Sequence, residues 1–133
     1  MTIDNNTGEV ITLDEAINYT HTFQENNPDA IKSFFAGINK INRILGQDDC
    51  IGIRFYNGED PVTGKNNLVL VGVDKNGEDI TTGVILEDLV TCPNYCPKNS
   101  VLIKPYFALY FFIYGSFCRN TPFVSVVSKK KSL

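Results

Sequence analysis

The sequence predicts an α+β domain. Two N-terminal helices are expected to pack on one face of a small antiparallel sheet, a meander of three or more strands, followed by an apolar, aromatic C-terminal segment. Three observations carry this. Apolar residues recur at helical spacing up to Leu45, strand-length apolar runs follow from Cys50, and an Asn-Gly pair stands between two of those runs. At 133 residues, with 43% hydrophobic and 20% charged side chains, one core is expected, and neither disorder nor a polytopic membrane protein fits.

The first helix is expected over about residues 13–25. Thr12 and Glu15 have the spacing of a capping box, and Leu13, Ala16, Ile17, Thr20 and Phe23 draw an apolar face behind it. Asn26-Asn27-Pro28-Asp29 stops that helix and predicts the start of a second, since asparagine caps well and proline tolerates the first helical position. Ile31, Phe34, Ile38, Ile41 and Leu45 then form one stripe, closed by Gly46 as a left-handed cap. The stripe is expected to pack on the sheet or on the first helix, with a dimer seam as the alternative.

Strands follow. Cys50 to Tyr56 alternates, with Ile51, Ile53 and Phe55 on one face and Arg54 and Tyr56 on the other. A polar loop runs from Asn57 to Asn67. Leu68–Val73 and Asp79–Leu86 are read as the two remaining strands, joined through Asn76-Gly77 in a type I′ turn. Cys92-Pro93-Asn94-Tyr95-Cys96-Pro97 is rigid and turn-like, and is expected to be neither helix nor central strand.

The net charge of -3 conceals an asymmetry. Residues 1–100 hold all fifteen acids and seven of the twelve bases, a balance of -8, whereas residues 101–133 hold five bases and no acid, a balance of +5. That divides the chain into a domain over 1–100 and an aromatic, basic extension over 101–133, which either completes the core or mediates association. An acidic body argues against a dedicated nucleic-acid binder, which needs a basic face to displace counterions. No basic region, apolar stretch and small-residue cleavage site stand in order at the N-terminus, so a reducing cytoplasmic setting is the expectation.

Candidate chemistry is sparse. Cys92 and Cys96 form a C-x3-C pair, a candidate for zinc, but no second pair accompanies it. A redox disulfide between them is the other reading, although the spacing is not the C-x-x-C of thioredoxins. Cys50 and Cys118 sit in apolar surroundings and read as small hydrophobes. His21, the one histidine, reads as a surface residue of the first helix. Asp74-x-Asn76-Gly77-x-Asp79 only superficially resembles a calcium loop, because its glycine stands at position 4 rather than 6 and its flanks are strands. No phosphate-binding, dinucleotide-binding or nucleophile-elbow pattern occurs. Arg54 and Tyr56 share a strand face that suits recognition of an anion or a partner's carboxylate; the plainer expectation is a salt bridge to a neighbour such as Asp79.

The run from Tyr106 to Cys118 is too short to span a bilayer, which takes about 20 apolar residues. With Lys129-Lys130-Lys131 behind it, it reads as a core element, as an interfacial anchor on anionic lipid, or as a frame-shifted end of the kind AT-rich DNA encodes.

Gly52-Ile53-Arg54-Phe55-Tyr56, Leu68-Val69-Leu70-Val71-Gly72-Val73-Asp74 with Asn76-Gly77, and the Cys92-Pro93 to Cys96-Pro97 end together resemble a group of small uncharacterised bacterial proteins. The likeness covers about residues 10 to 100 and departs from the group's pattern in the thirty or so residues that follow. It implies a shared fold in a cytosolic bacterial setting, and no activity. The leading expectation is a non-catalytic protein-interaction or self-associating module, a homo-oligomer or protein partner, without a cofactor. The alternatives are a thiol-based metal or redox site at Cys92 and Cys96, and peripheral membrane association through the tail.

Overall fold

The computed structural model describes residues 2–105. In chain order these form α1 (Leu13–Asn26), β1 (Ser33–Phe35), α2 (Ile38–Leu45), β2 (Cys50–Glu59), β3 (Asn66–Asp74), β4 (Ile85–Leu86) and β5 (Val90–Cys92). The α+β class therefore holds, with two helices and two antiparallel sheets. One sheet has the order β2-β3-β4, and the other pairs β1 with β5. The aromatic run from Tyr106 and the rest of the tail lie outside the described residues.

α1 begins where its capping box places it. The Thr12 hydroxyl accepts the Glu15 backbone N–H at 3.2 Å, and a Glu15 carboxylate oxygen accepts the Thr12 backbone N–H at 2.9 Å. Two of the four unpaired N–H groups of the first turn are thus satisfied. At the other end Asn27 donates both its backbone N–H and its Nδ2 to the carbonyl of Phe23.

The second helix departs from expectation. Residues 28–30 form a turn, Ser33–Phe35 form β1, and α2 occupies only Ile38–Leu45, with Gly37 as its N-cap. Phe34 faces the core, but from a strand paired with Thr91 of β5. Its place in the 3-4-3-4 spacing is coincidental. Within α2 the buried face is Ile41 and Ile44, three residues apart, whereas Ile38 and Leu45 are exposed. Gly46 is not left-handed either, with φ -80°. A Cβ there would stand 3.1 Å from the Asn42 carbonyl oxygen, a tight contact.

β2 and β3 make the principal hairpin, in register from Gly52↔Val73 to Glu59↔Asn66, with an irregularity between Cys50 and Gly52. The loop between them is clamped by Asp60, whose Oδ1 accepts the N–H groups of Val62 and Thr63 at 2.7 and 2.9 Å. The turn after β3 is not type I′, which requires positive φ at both central residues. Only Gly77 is left-handed there (φ 83°), and its N–H bonds to the Asp74 carbonyl while the Asp74 N–H bonds to Glu78. That is a three-residue connection ending in a glycine bulge. The expected strand over 79–86 is reduced to a bridge between Val73 and Asp79 and the two residues of β4.

Ile44, Leu70 and Leu89 form the core cluster, with Phe34, Ala36, Ile41, Ile53, Leu68, Val84 and Leu86 packed around it. α2 lies on β2 and β3, as expected of one helix. α1 does not share that face. It is tied instead to the coil that follows β5: His21 Nε2 lies 2.9 Å from the Val101 carbonyl oxygen, Gln24 bonds to Leu102 and Lys104, and Glu25 pairs with the Lys104 ammonium. Residues 101–105, placed in the extension by their charge, are therefore bonded to the first helix.

Close packing of α2 on the sheet depends on two glycines. A Cβ at Gly72 would meet Gln47 Nε2 at 2.8 Å and Cys50 Sγ at 3.2 Å, and a Cβ at Gly83 would overlap the Gln47 carboxamide. That carboxamide donates to the Ile44 carbonyl (3.0 Å) and accepts the Val84 N–H (2.6 Å), so it cannot swing aside without losing both bonds. Gly83→Ala is expected to destabilise by about 1–3 kcal/mol. In a Gln47→Ala background the same change is expected to cost much less, a non-additivity that urea unfolding of the four proteins measures.

Backbone N–H groups hold two carboxylates below their ordinary range: the Thr12 N–H acts on Glu15, and those of Thr63 and Val62 act on Asp60. A carboxylate depressed in the folded state contributes stability that is present above its unfolded pKa and lost as pH falls through its folded value. Stability is therefore expected to decline on acidification below about pH 4, the ordinary carboxylate range. A Glu15→Gln, Asp60→Asn variant is expected to show a shallower decline in urea midpoint over that interval.

Candidate functional site

Arg54 and Tyr56 occupy alternate positions of β2 and so point to one face of the sheet. On that face their cross-strand partners are Val71 and Val69. Asp79 lies on the far side of β3, bridged to Val73. Two strand spacings separate β2 from Asp79, about 10 Å. The Arg54 side chain spans them: Nη1 forms an ion pair with Asp79 Oδ1, and Nη2 donates to the Gly77 carbonyl at 3.0 Å. The Tyr56 hydroxyl donates to the other carboxylate oxygen, Asp79 Oδ2, at 2.6 Å.

The register carries the stem of Arg54 across β3 over Val71 and Val73, which are 4% exposed although α2 covers the opposite face. A long basic side chain covers apolar surface in this way while its charged head stays near water. The guanidinium is held above its ordinary range, first by the adjacent Tyr56 phenol and also by Asp79, with desolvation opposing. The plainer of the two expectations for this face, a salt bridge from Arg54 to Asp79, is the one the structure shows. Chemically the arrangement is a strap that closes the β3–β4 connection onto β2.

Cys92 and Cys96 are brought together as a disulfide, with Cα atoms 4.7 Å apart. In the disulfide neither sulfur is a thiolate, and no three His, Cys, Asp or Glu side chains converge among the described residues. Cys50 is a free thiol whose Sγ lies 3.3 Å from the Gly52 carbonyl oxygen. Cys118 lies outside the described residues. Asp74 and Asp79 share no ion site. Asp74 Oδ1 accepts the N–H groups of Asn76 and Glu78 in the turn, while Asp79 serves the strap.

One feature was not legible in the sequence. An open cleft of about 860 Å3 runs between the ends of the β2–β3 hairpin and the β1–β5 sheet. Phe34 and Leu89 are among its apolar lining residues, Asp29, Glu59, Asp88 and Lys65 among its charged ones, and Pro93 and Asn94 of the disulfide turn line it too. With Phe23 of α1, its lining comes from five separate stretches of chain, and no local pattern links them. Only the acidic surplus of residues 1–100 hints at the sign of its rim.

Comparison with family models, with curated proteins and with solved structures gives no match for this chain.

The strap predicts a specific order of effects. Arg54→Lys keeps the charge but supplies a point donor in place of a fork, and is expected to recover only part of the urea midpoint lost in Arg54→Ala. Lys75→Met removes the partner of Asp49, an ion pair with both side chains more than half exposed, and is expected to leave the midpoint unchanged.

Proposed function

We propose that this protein is a non-catalytic interaction module that associates with a second copy of itself through the outer edge of β2. The observation that carries this reading is the position of β2. It is ten residues long and, in the order β2-β3-β4, is paired on one side only among the described residues. An edge strand presents a row of unpaired backbone donors and acceptors, which proteins usually blunt with charge, proline or bulges. Here the irregularity sits at one end, between Cys50 and Gly52, and the stretch from Ile53 to Glu59 runs in unbroken register.

The side chains along that edge support the reading. Phe55 shares the face of Leu70, yet it is 59% exposed where Leu70 is buried. Tyr56 is also exposed. An edge of this kind pairs antiparallel with its own copy, which makes a two-fold dimer the simplest product. Arg54 and Tyr56, being engaged with Asp79, stiffen the strand and are not its recognition groups. The cytoplasmic, bacterial setting read from the sequence is compatible with such a module and stands as part of the proposal. No described helix is long and apolar enough to cross a membrane. A tail-mediated membrane contact would involve residues outside those described.

Light scattering of the full chain at micromolar concentration is expected to give a dimer or a larger assembly, and Phe55→Lys is expected to return it to a monomer. A monomeric parent protein would overturn the reading. A parent dimer unaffected by Phe55→Lys would remove β2 as its seam.

A further inference from the structure

We infer that the Cys92–Cys96 disulfide is a reducible latch, entered at Cys96, that holds the turn lining the cleft at Pro93 and Asn94 and the anchor of α1. The inference is independent of self-association. Its first ground is the unequal accessibility of the two sulfurs' residues. Cys92 is 1% exposed, whereas Cys96 stands in an exposed stretch that runs from Pro93 to Asn99. A thiol–disulfide exchange needs an approach to one sulfur, and only the Cys96 side offers it.

The second ground is what the turn joins. On one side Cys92 ends β5, opposite Ser33 of β1, and its carbonyl accepts the Lys32 N–H at 2.7 Å. Within the turn, Tyr95 donates its N–H to the Thr91 carbonyl and the Thr91 hydroxyl donates to the Pro93 carbonyl. On the other side, five residues after Cys96, the chain reaches the carbonyl of Val101 beside His21, then the Gln24 clamp on Leu102 and Lys104. The disulfide is thus the covalent joint between the small β1–β5 sheet and the coil that holds α1. The β2–β3 hairpin takes no part in it.

The exchange is written for a dithiol as co-reactant. A thiolate of the dithiol attacks Cys96 Sγ, the S–S bond to Cys92 breaks, and the Cys92 sulfur leaves with the electron pair and takes up a proton. The second thiol of the reagent, as its thiolate, attacks the reagent sulfur of the mixed disulfide and releases Cys96. The protein disulfide is reduced to two thiols and the dithiol is oxidised to its disulfide. In a reducing compartment of the kind the sequence suggests, dithiols of this class are the ordinary agents of such a step.

The test uses the full chain with dithiothreitol as the dithiol, alkylation and mass spectrometry to count thiols, and hydrogen exchange to read the structure. Native protein purified without reductant is expected to show Cys92 and Cys96 joined, and dithiothreitol without denaturant is expected to open them. Amide exchange is then expected to rise at least tenfold around residues 30–35 and 90–105, with residues 66–74 of β3 unchanged. Cys96→Ser is expected to reproduce that pattern; if it does not fold, the reduced parent protein gives the same reading. Free thiols at both positions in the native protein would overturn the inference. So would a disulfide that resists native reduction, or reduction that leaves exchange unchanged or raises it equally in β3.

Discussion

The fold depends on side-chain carboxamides acting where backbone ladders are missing. Four of the strands or helical turns that a larger domain would use to satisfy its coil are absent or abbreviated here: β1, β4 and β5 have three, two and three residues, and α2 has eight. Buried backbone polar groups still require partners. Asn67 supplies them to Leu89, accepting its N–H at 3.2 Å and donating to its carbonyl at 3.0 Å, much as a neighbouring strand residue would. Gln47 joins the end of α2 to Val84, and Gln24 joins α1 to Leu102 and Lys104. In each case one planar carboxamide both donates and accepts, as a backbone peptide group does.

These clamps explain which apolar residues are buried. Leu89 reaches the core because Asn67 pins its backbone at the end of β3, and Val84 packs beside it because Gln47 holds its N–H. Gln24 is itself buried, at 7% exposed, and no buried side-chain nitrogen or oxygen among the described residues lacks a partner. A satisfied buried amide is tolerated, whereas one stripped of its partner costs about 1–3 kcal/mol. The same logic governs the opposite face of the sheet. There no helix covers Val71 and Val73, and a charged side chain long enough to cross β3 does so, anchored on Asp79 and Gly77.

Local signals are legible in the sequence, and tertiary ones are not. The Thr12–Glu15 capping box, the β2–β3 hairpin and the Arg54–Asp79 bridge each follow from residues whose spacing or face is set by a single element or a pair of adjacent strands. α2 starts later than the stripe suggests because Phe34 satisfies a helical stripe by number while lying in a strand. What decides its conformation is β5, more than fifty residues away, and no periodicity reports that. Asn67, Gln47 and Gln24 look like ordinary polar residues in a pattern, since a carboxamide in a loop and one that replaces a strand have the same letter. The glycines beside Gln47 were the one available hint, and their meaning appears only when α2 is laid on the sheet. The charge division near residue 100 likewise reads as a boundary, although hydrogen bonds to α1 cross it.

A fold held in this way distributes its stability unevenly. The hairpin has a long continuous ladder and the core cluster beneath it, so it should open only with the whole domain. α1, by contrast, gains little from the sheet and relies on its capping box and on four contacts that His21, Gln24 and Glu25 make with residues 101–104. Those contacts are useful only while the coil from Cys96 onward is delivered to the right place, and the loop-closure entropy of that delivery falls as the chain before it is shortened by a cross-link. The Cys92–Cys96 ring is small and gains little by that measure alone. Its effect lies in fixing the direction in which the chain leaves β5. The anchoring of α1 and the order of β2 thus rest on different parts of the fold, the first on side-chain bonds to residues 101–104 and the second on a continuous backbone ladder to β3.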